Sequence, residues 1–304
     1  MEPIKLTARN RNPGPSWGYL FLVRADRILP AGIFSALLGL GTWVAVAAMP
    51  VERGHSRRYL AAVLGRPPTA VEIWRHFHAF ARALMLKLRV GEGQPHPCAI
   101  AAACGDFEEL LVSAKPVLLG TFHVGNSDLV GFTLGRYRRK ISIIRIRVGN
   151  SRDTRELARQ TGNGVAFIWV NERENLIFTL KEAIQSGDTI AMECDRVGYS
   201  ARLEAFEFLG ARRLFPFSIY HLALIFRRPV VICVAVPDGP AASMVTSSPV
   251  FEPDDAPRAD NLARARVHFQ DFLMVIESIL RQDPSLWFNF VPLNPEAPSR
   301  GAAR

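Results

Sequence analysis

The chain has 304 residues, 49% hydrophobic and 21% charged, which is enough for one large domain with a substantial core. Its net charge of +9 and isoelectric point of about 9.9 call for an anionic partner. The basic residues are scattered without interleaved stacking aromatics, so nucleic acid gives way to a lipid surface or an acidic carrier protein.

Residues 1–16 are polar, carry three prolines and read as a flexible tail. From 17 to 55 the chain is an apolar segment suited to a membrane, with Trp17, Tyr19 and Trp43 placed for a headgroup boundary. Within it Ile28 to Met49 carries no charge and is long enough to span a bilayer as a helix, although Pro30, Gly32, Gly39 and Gly41 weaken a plain helix. Three readings stand: a spanning helix, a helix lying in the interface, or a buried hairpin.

An α/β domain is expected over 56–295, followed by a tail at 296–304. Pro67-Pro68 end one helix, and Thr69 N-caps the next, whose Ile73, Phe77, Phe80, Ala81 and Leu84 recur at helical spacing. His76 and His78 on it read as surface or groove-rim residues. Apolar runs at 116–120, 141–148, 165–170, 189–193 and 229–236 read as strands, and patterns at 151–160, 172–186 and 216–227 as helices. This alternation argues for an α/β fold with a largely parallel or mixed central sheet flanked by helices. A last amphipathic helix covers 261–282 with Phe269, Leu273, Ile276 and Leu280 on one face, and Pro284–Phe290 then packs or inserts its aromatics. His221 and His268 read as packing residues.

Cys98, Cys104, Cys194 and Cys233 form no CxxC and lack a His at finger spacing, so they read as reduced, mostly buried thiols. Gly162-Asn-Gly164 has the wrong flanks for a phosphate-binding loop. No metal or other cofactor is called for.

The run Gly120-Thr-Phe-His123-Val-Gly125-Asn126-Ser-Asp128 carries the chemistry. The strand is expected to end at Gly120, a turn to hold His123, and a helix to begin near Asn126. Asp128 then accepts the Nδ1–H of His123 and fixes its tautomer, leaving Nε2 free to take a proton from a substrate hydroxyl or amine. The helix N-terminus and the backbone at Gly125 and Asn126 would favour an oxyanion. On spacing alone the pair is also readable as a core histidine beside a helical aspartate.

The stretch resembles the lysophospholipid acyltransferase superfamily, and within it the lipid A biosynthesis (lauroyl/myristoyl) acyltransferase branch, where the motif is His-x4-Asp/Glu. Val124, Ser127 and Asp128 depart from that branch's His-Phe-Gly-Asn-Trp-Glu form. The resemblance continues through Leu180–Arg196, with its Gly187-Asp188 turn and Asp195-Arg196 ending, then Phe208-Leu-Gly210, Phe215-Pro216 and Arg228-Pro-Val-Val. Upstream it takes in Trp17, Glu52-Arg-Gly54 and the Tyr59–Pro67 region, so it runs from about residue 17 to 292.

The resemblance implies a glycerol-phosphate acyltransferase-like fold and transfer of a fatty acyl chain from acyl carrier protein or acyl-coenzyme A to a hydroxyl of a membrane (glyco)lipid such as a lipid A precursor. The site would lie at the cytoplasmic face of a bacterial inner membrane. His123 would be the general base and Asp128 its orienting partner. An arginine between the motif and the Gly187 strand would complete the site, either Arg159 or Arg173, with Asp195, Arg196 and Gly210 as further lining. A lysophospholipid or N-acyl acyltransferase is the alternative within enzymes, and a non-catalytic lipid-binding relative the alternative outside them.

Overall fold

A computed structural model describes residues 16–113, 115–131, 137, 139–145, 165–170, 176–200, 202–239 and 241–298. Four helices open the chain: α1 (Ser16–Ile28), α2 (Ala31–Ala48), α3 (Pro50–Leu64) and α4 (Ala70–Gly91). Thr69 starts α4 in a reciprocal capping box, its hydroxyl accepting from the Glu72 N–H at 3.2 Å while Glu72 accepts from the Thr69 N–H at 2.7 Å.

The strands follow as β1 (Cys98–Ile100), β2 (Leu118–Gly125), β3 (Ile141–Arg145), β4 (Val165–Trp169), β5 (Thr189–Glu193), β6 (Leu203–Phe208), β7 (Ala211–Pro216), β8 (Val230–Asp238) and β9 (Ala242–Ser247). Helices α5 (Gly105–Val112), α6 (Leu176–Gln185), α7 (Ser218–Phe226) and α8 (Arg258–Gln282) complete the described elements. The strands make a seven-stranded sheet in the order β1-β9-β8-β2-β5-β3-β4, parallel throughout except for the β8–β9 pair. The fold is therefore α/β with a mixed central sheet flanked by helices.

One sheet face packs against α3, α7 and α8, whose Tyr59, Leu60, Tyr220, Ala223, Phe269 and Ile276 join Leu118, Phe122 and Val124 of β2 in the main core. The four expected apolar residues of α8 are all buried there. The other face meets α5 through Phe107, Leu110 and Leu111, beside Leu119 of β2. Gly120 is where α7 comes closest to β2, since a Cβ there would stand 2.9 Å from the tip of Ile232 and 3.3 Å from that of Ile219.

β1, β9 and the β6–β7 hairpin were not expected. The hairpin turns on Leu209 and Gly210, both at positive φ (51° and 73°), which accounts for a glycine at position 210. All four cysteines are buried.

Of α2 only Phe34, Thr42 and Val46 are buried, which overturns the buried-hairpin reading. One side of α2 lies on α4. The Trp74 indole N–H donates to the Gly39 carbonyl at 3.1 Å, and Trp43 stacks on Trp74. Ile33, Leu40, Trp43 and Val44 remain exposed, and by length and composition α2 could cross a membrane.

Candidate active site

β2 runs on through the motif rather than stopping at Gly120, so His123 sits in a strand and not in a turn. The cause is a backbone partner far away in sequence. The segment after α8 lies against the end of β2, where Gly125 N–H donates to Leu286 C=O at 2.7 Å and Phe288 N–H to His123 C=O at 2.8 Å. The aromatics of this segment pack rather than protrude: Trp287 and Phe288 are buried, and Phe290 stacks on His76.

β5 lies parallel to β2 with Glu193 opposite Thr121, so the residues just beyond β5 arrive beside His123. Asp195 is among them. Its carboxylate meets His123 Nδ1 at 2.9 and 3.1 Å and also accepts the His123 backbone N–H at 2.9 Å. The Trp287 indole N–H donates to the same carboxylate at 2.9 Å. The expected His123–Asp128 hydrogen bond is not formed. Asp128 instead pairs with Lys87 of α4 at 2.7 Å. The sheet register explains the exchange, because β5 running parallel to β2 brings Asp195 beside His123, while Asp128 lies past the end of β2 and meets α4.

Nε2 is not free either, for Glu193 Oε1 stands 3.0 Å from it. Carboxylates accept only, so an imidazole held between two of them satisfies both contacts as the doubly protonated cation. Burial and the charge of Arg196 oppose that cation, but Asp195 and Glu193 outweigh them and push His123 up to about 9. Burial would raise Asp195, yet the His123 charge, Arg196 and the Trp287 donor bring it down to about 2. Lys87 foremost holds Asp128 well below the usual carboxylate range.

The backbone at Gly125 and Asn126 cannot serve an oxyanion as expected. The Gly125 N–H is bound to Leu286, and the Asn126 N–H donates to Ala235 C=O at 2.6 Å. The Asn126 side-chain amide donates to Ser243 Oγ at 2.8 Å. Gly125 has φ +56°, and a Cβ there would lie 2.6 Å from the Ala235 carbonyl oxygen, so this glycine serves the close approach of β8. Helical structure begins beside Asn126 as expected, first as a 3-10 turn over Ser127–Leu129 and then as helix at Val130 and Gly131.

Arg196 is half-buried and within electrostatic reach of His123. Gly210 lines neither of the cavities below. Arg159, Arg173 and the helix expected at 151–160 lie outside the described residues. His76 corrects another expectation: it is fully buried, linked to Ser56 Oγ at 2.8 Å and to the Trp287 carbonyl at 2.8 Å. Burial lowers its pKa to about 4, so it is neutral, with Nε2–H donating to Trp287 and Nδ1 accepting from Ser56.

Two cavities flank the motif. A smaller one of about 70 Å³ has an apolar wall that includes Leu119, Val130, Ile143, Phe167 and Met192, and a polar mouth of Thr121, Asp128, Glu193, Lys87 and Arg145. The other, of about 470 Å³, lies between α2, α4 and the Gly125-Asn126 end of β2.

A His-carboxylate pair at the carboxyl ends of parallel strands, beside an apolar cavity, is where α/β folds place their chemistry. The family comparison decides which chemistry. The bacterial lipid A biosynthesis acyltransferase model matches residues 7–291. The chain belongs to that family. No curated protein matches it significantly. As a lipid A biosynthesis acyltransferase it is a transferase that takes an acyl donor and a lipid acceptor, and the match takes in β2, β5 and the Trp287 segment that together build the site. Sequence reasoning missed Glu193, Lys87 and Trp287. Glu193 and Asp195 alternate across the end of a strand, which is a readable signal, whereas nothing local marks Lys87 or Trp287.

Proposed function

We propose that the protein transfers a fatty acyl chain from a thioester, on acyl carrier protein or coenzyme A, to a hydroxyl of a lipid A-type glycolipid. His123 is the general base and Asp195 its orienting partner. Asp128, paired with Lys87, sets the field at the cavity mouth where the thioester carbonyl and the acceptor meet. The observation that carries the reading is the His123–Asp195 contact at 2.9 Å beside an apolar cavity, in a chain of this family.

The reaction moves one proton in a circle. Nε2 takes the acceptor hydroxyl proton as its oxygen bonds to the thioester carbon. Asp195 stabilises the imidazolium. Collapse of the tetrahedral intermediate breaks the C–S bond, and the imidazolium returns the proton to the departing sulfur.

The protein works at the cytoplasmic face of the inner membrane. The exposed face of α2 rests in the bilayer interface, because its other side is committed to the amphipathic helix α4. The basic surface, from a net charge of +9, suits anionic headgroups and an acidic carrier. The test is acyl transfer by purified protein in vesicles containing a lipid A precursor. Wild type should acylate the precursor and His123→Ala should not. Equal rates for the two would overturn the assignment.

A further inference from the structure

The mechanism above needs Nε2 of His123 unprotonated and facing the acceptor, yet in this structure that nitrogen faces a second carboxylate. Glu193 Oε1 lies 3.0 Å from Nε2, within the range in which a general base meets the oxygen whose proton it takes. Glu193 also lines the polar mouth of the smaller cavity, alongside Thr121 and Asp128. We propose that Glu193 holds the seat of the acceptor hydroxyl in the resting enzyme, clamping His123 as the imidazolium, and that the incoming acceptor must displace it before the base can work. The proposal rests on the reading of His123 as general base and adds where the acceptor oxygen sits.

The charge balance around the ring supports this. From β5 and the residues after it, His123 faces Glu193, Asp195 and Arg196; Asp128 comes from the turn after β2, Lys87 from α4 and Arg145 from β3. The two carboxylates in direct contact favour the cation and Arg196 opposes it. Asp195 is fixed by the Trp287 indole and the His123 backbone N–H as well as by the ring. Among the described residues the Glu193 carboxylate has no hydrogen-bonding partner other than His123, and its side chain is 30% exposed, so it is the carboxylate able to swing away. When it does, the Nε2 proton leaves to water, the acceptor oxygen takes the place of Oε1, and the neutral imidazole accepts the hydroxyl proton as the C–O bond forms.

The experiment is the pH profile of kcat/KM for wild type and Glu193→Gln, with ¹⁵N NMR of the labelled histidine ring. For wild type the acid limb should fall near pH 9, since kcat/KM reports the free enzyme. Glu193→Gln keeps the size and removes the charge. It should move the limb down by at least one pH unit and raise kcat/KM at pH 7 by about tenfold, the gain in unprotonated base that one pKa unit gives. In the spectra at pH 8, wild type should show both ring nitrogens largely protonated, and the variant should have lost at least half of the Nε2 proton. An unmoved limb together with an unchanged ring titration would overturn the proposal. The NMR readout needs no turnover, so it separates this result from a failure of the acyltransferase reading, which His123→Ala tests. Glu193→Asp serves where Gln fails to fold: its shorter side chain withdraws the carboxylate from Nε2 and should lower the limb by less than Gln does, and no shift with it would count equally against the proposal.

Discussion

Replacing Asp195 by Asn separates the partner found in space from the one expected in sequence. The Asp195 side chain is fully buried and receives three donors: the ring Nδ1–H, the His123 backbone N–H and the Trp287 indole. Its pKa of about 2, against an ordinary value of 3.8, measures how much these groups favour the charged form. At about 1.4 kcal/mol per unit, that is roughly 2.5 kcal/mol of folding stability. Because the folded pKa is depressed, this contribution is present above about pH 4 and is lost as the pH falls toward 2. Asn keeps the shape but turns an N–H toward one of the three donors, so Asp195→Asn should unfold about 2–3 kcal/mol more easily in urea at pH 7. It should also lower the His123 pKa and cut acyl transfer by about 10²–10⁴-fold, the usual worth of an oriented base. Asp128→Asn should move the ring titration less than Asp195→Asn does, since the charges that chiefly shift His123 are Arg196, Asp195 and Glu193, with Asp128 coupled to it more weakly. The reasoning fails if Asp195→Asn retains activity within threefold of wild type, or if Asp128→Asn moves the His123 pKa more than Asp195→Asn does.

Three further outcomes follow from packing. Gly125→Ala should cost about 2–5 kcal/mol, combining a left-handed backbone with overpacking against the rigid Ala235 carbonyl, whereas Gly120→Ala meets only side-chain tips and should cost less; urea denaturation of both ranks them. His76→Leu leaves Ser56 and the Trp287 carbonyl without their partner in a dry interior and should cost about 2–4 kcal/mol by the same assay. Leu40→Asp on the exposed face of α2 should leave folding intact and weaken binding to anionic vesicles at least about tenfold, read by co-sedimentation, since a large apolar residue contributes about 1.5–3 kcal/mol when buried.

How far the sequence could be read depended on whether the cause was local. The strand at 189–193 and the buried stripe of α8 were legible because alternation and helical spacing are properties of adjacent residues. β1 has only three residues and β9 alternates with serine and threonine, so neither carried a signal above its surroundings. The β6–β7 hairpin did carry one, period-two alternation around a Leu-Gly turn, but its elements were read only as family landmarks. In the site, His123 was legible and its partner was not. Spacing along the chain pointed to Asp128, while the parallel register of β2 and β5 brings Asp195 across from seventy-two positions away. Likewise β2 extends past Gly120 because β5, β8 and residues 286–288 supply backbone partners, which no window around the motif contains. His76 was the avoidable miss, since it lies one turn from Ile73 and next to Phe77 on the stripe already identified as apolar.

The same contacts tie the N-terminal arm into the chemistry. Ser56 of α3 bonds His76 of α4; His76 bonds the Trp287 carbonyl; the Trp287 indole bonds Asp195; and Asp195 bonds His123. Tyr59 of α3 reinforces the chain, donating to the Pro284 carbonyl at 2.8 Å and packing edge-on against Trp287. The links from Ser56 to Asp195 are buried, where a missing partner costs more than a bond gains, so each group depends on the next being in place. α4 also carries Lys87 to Asp128 on the other side of the motif, and α2 rests on α4 through Trp74. The helix on which α2 rests is thus the one that helps hold Asp195 and Asp128 in register. An arm that merely anchored an independent catalytic domain would need none of these bonds. Their presence makes α3 and α4 structural members of the active site, and it places the base at a fixed height relative to whatever surface α2 rests on.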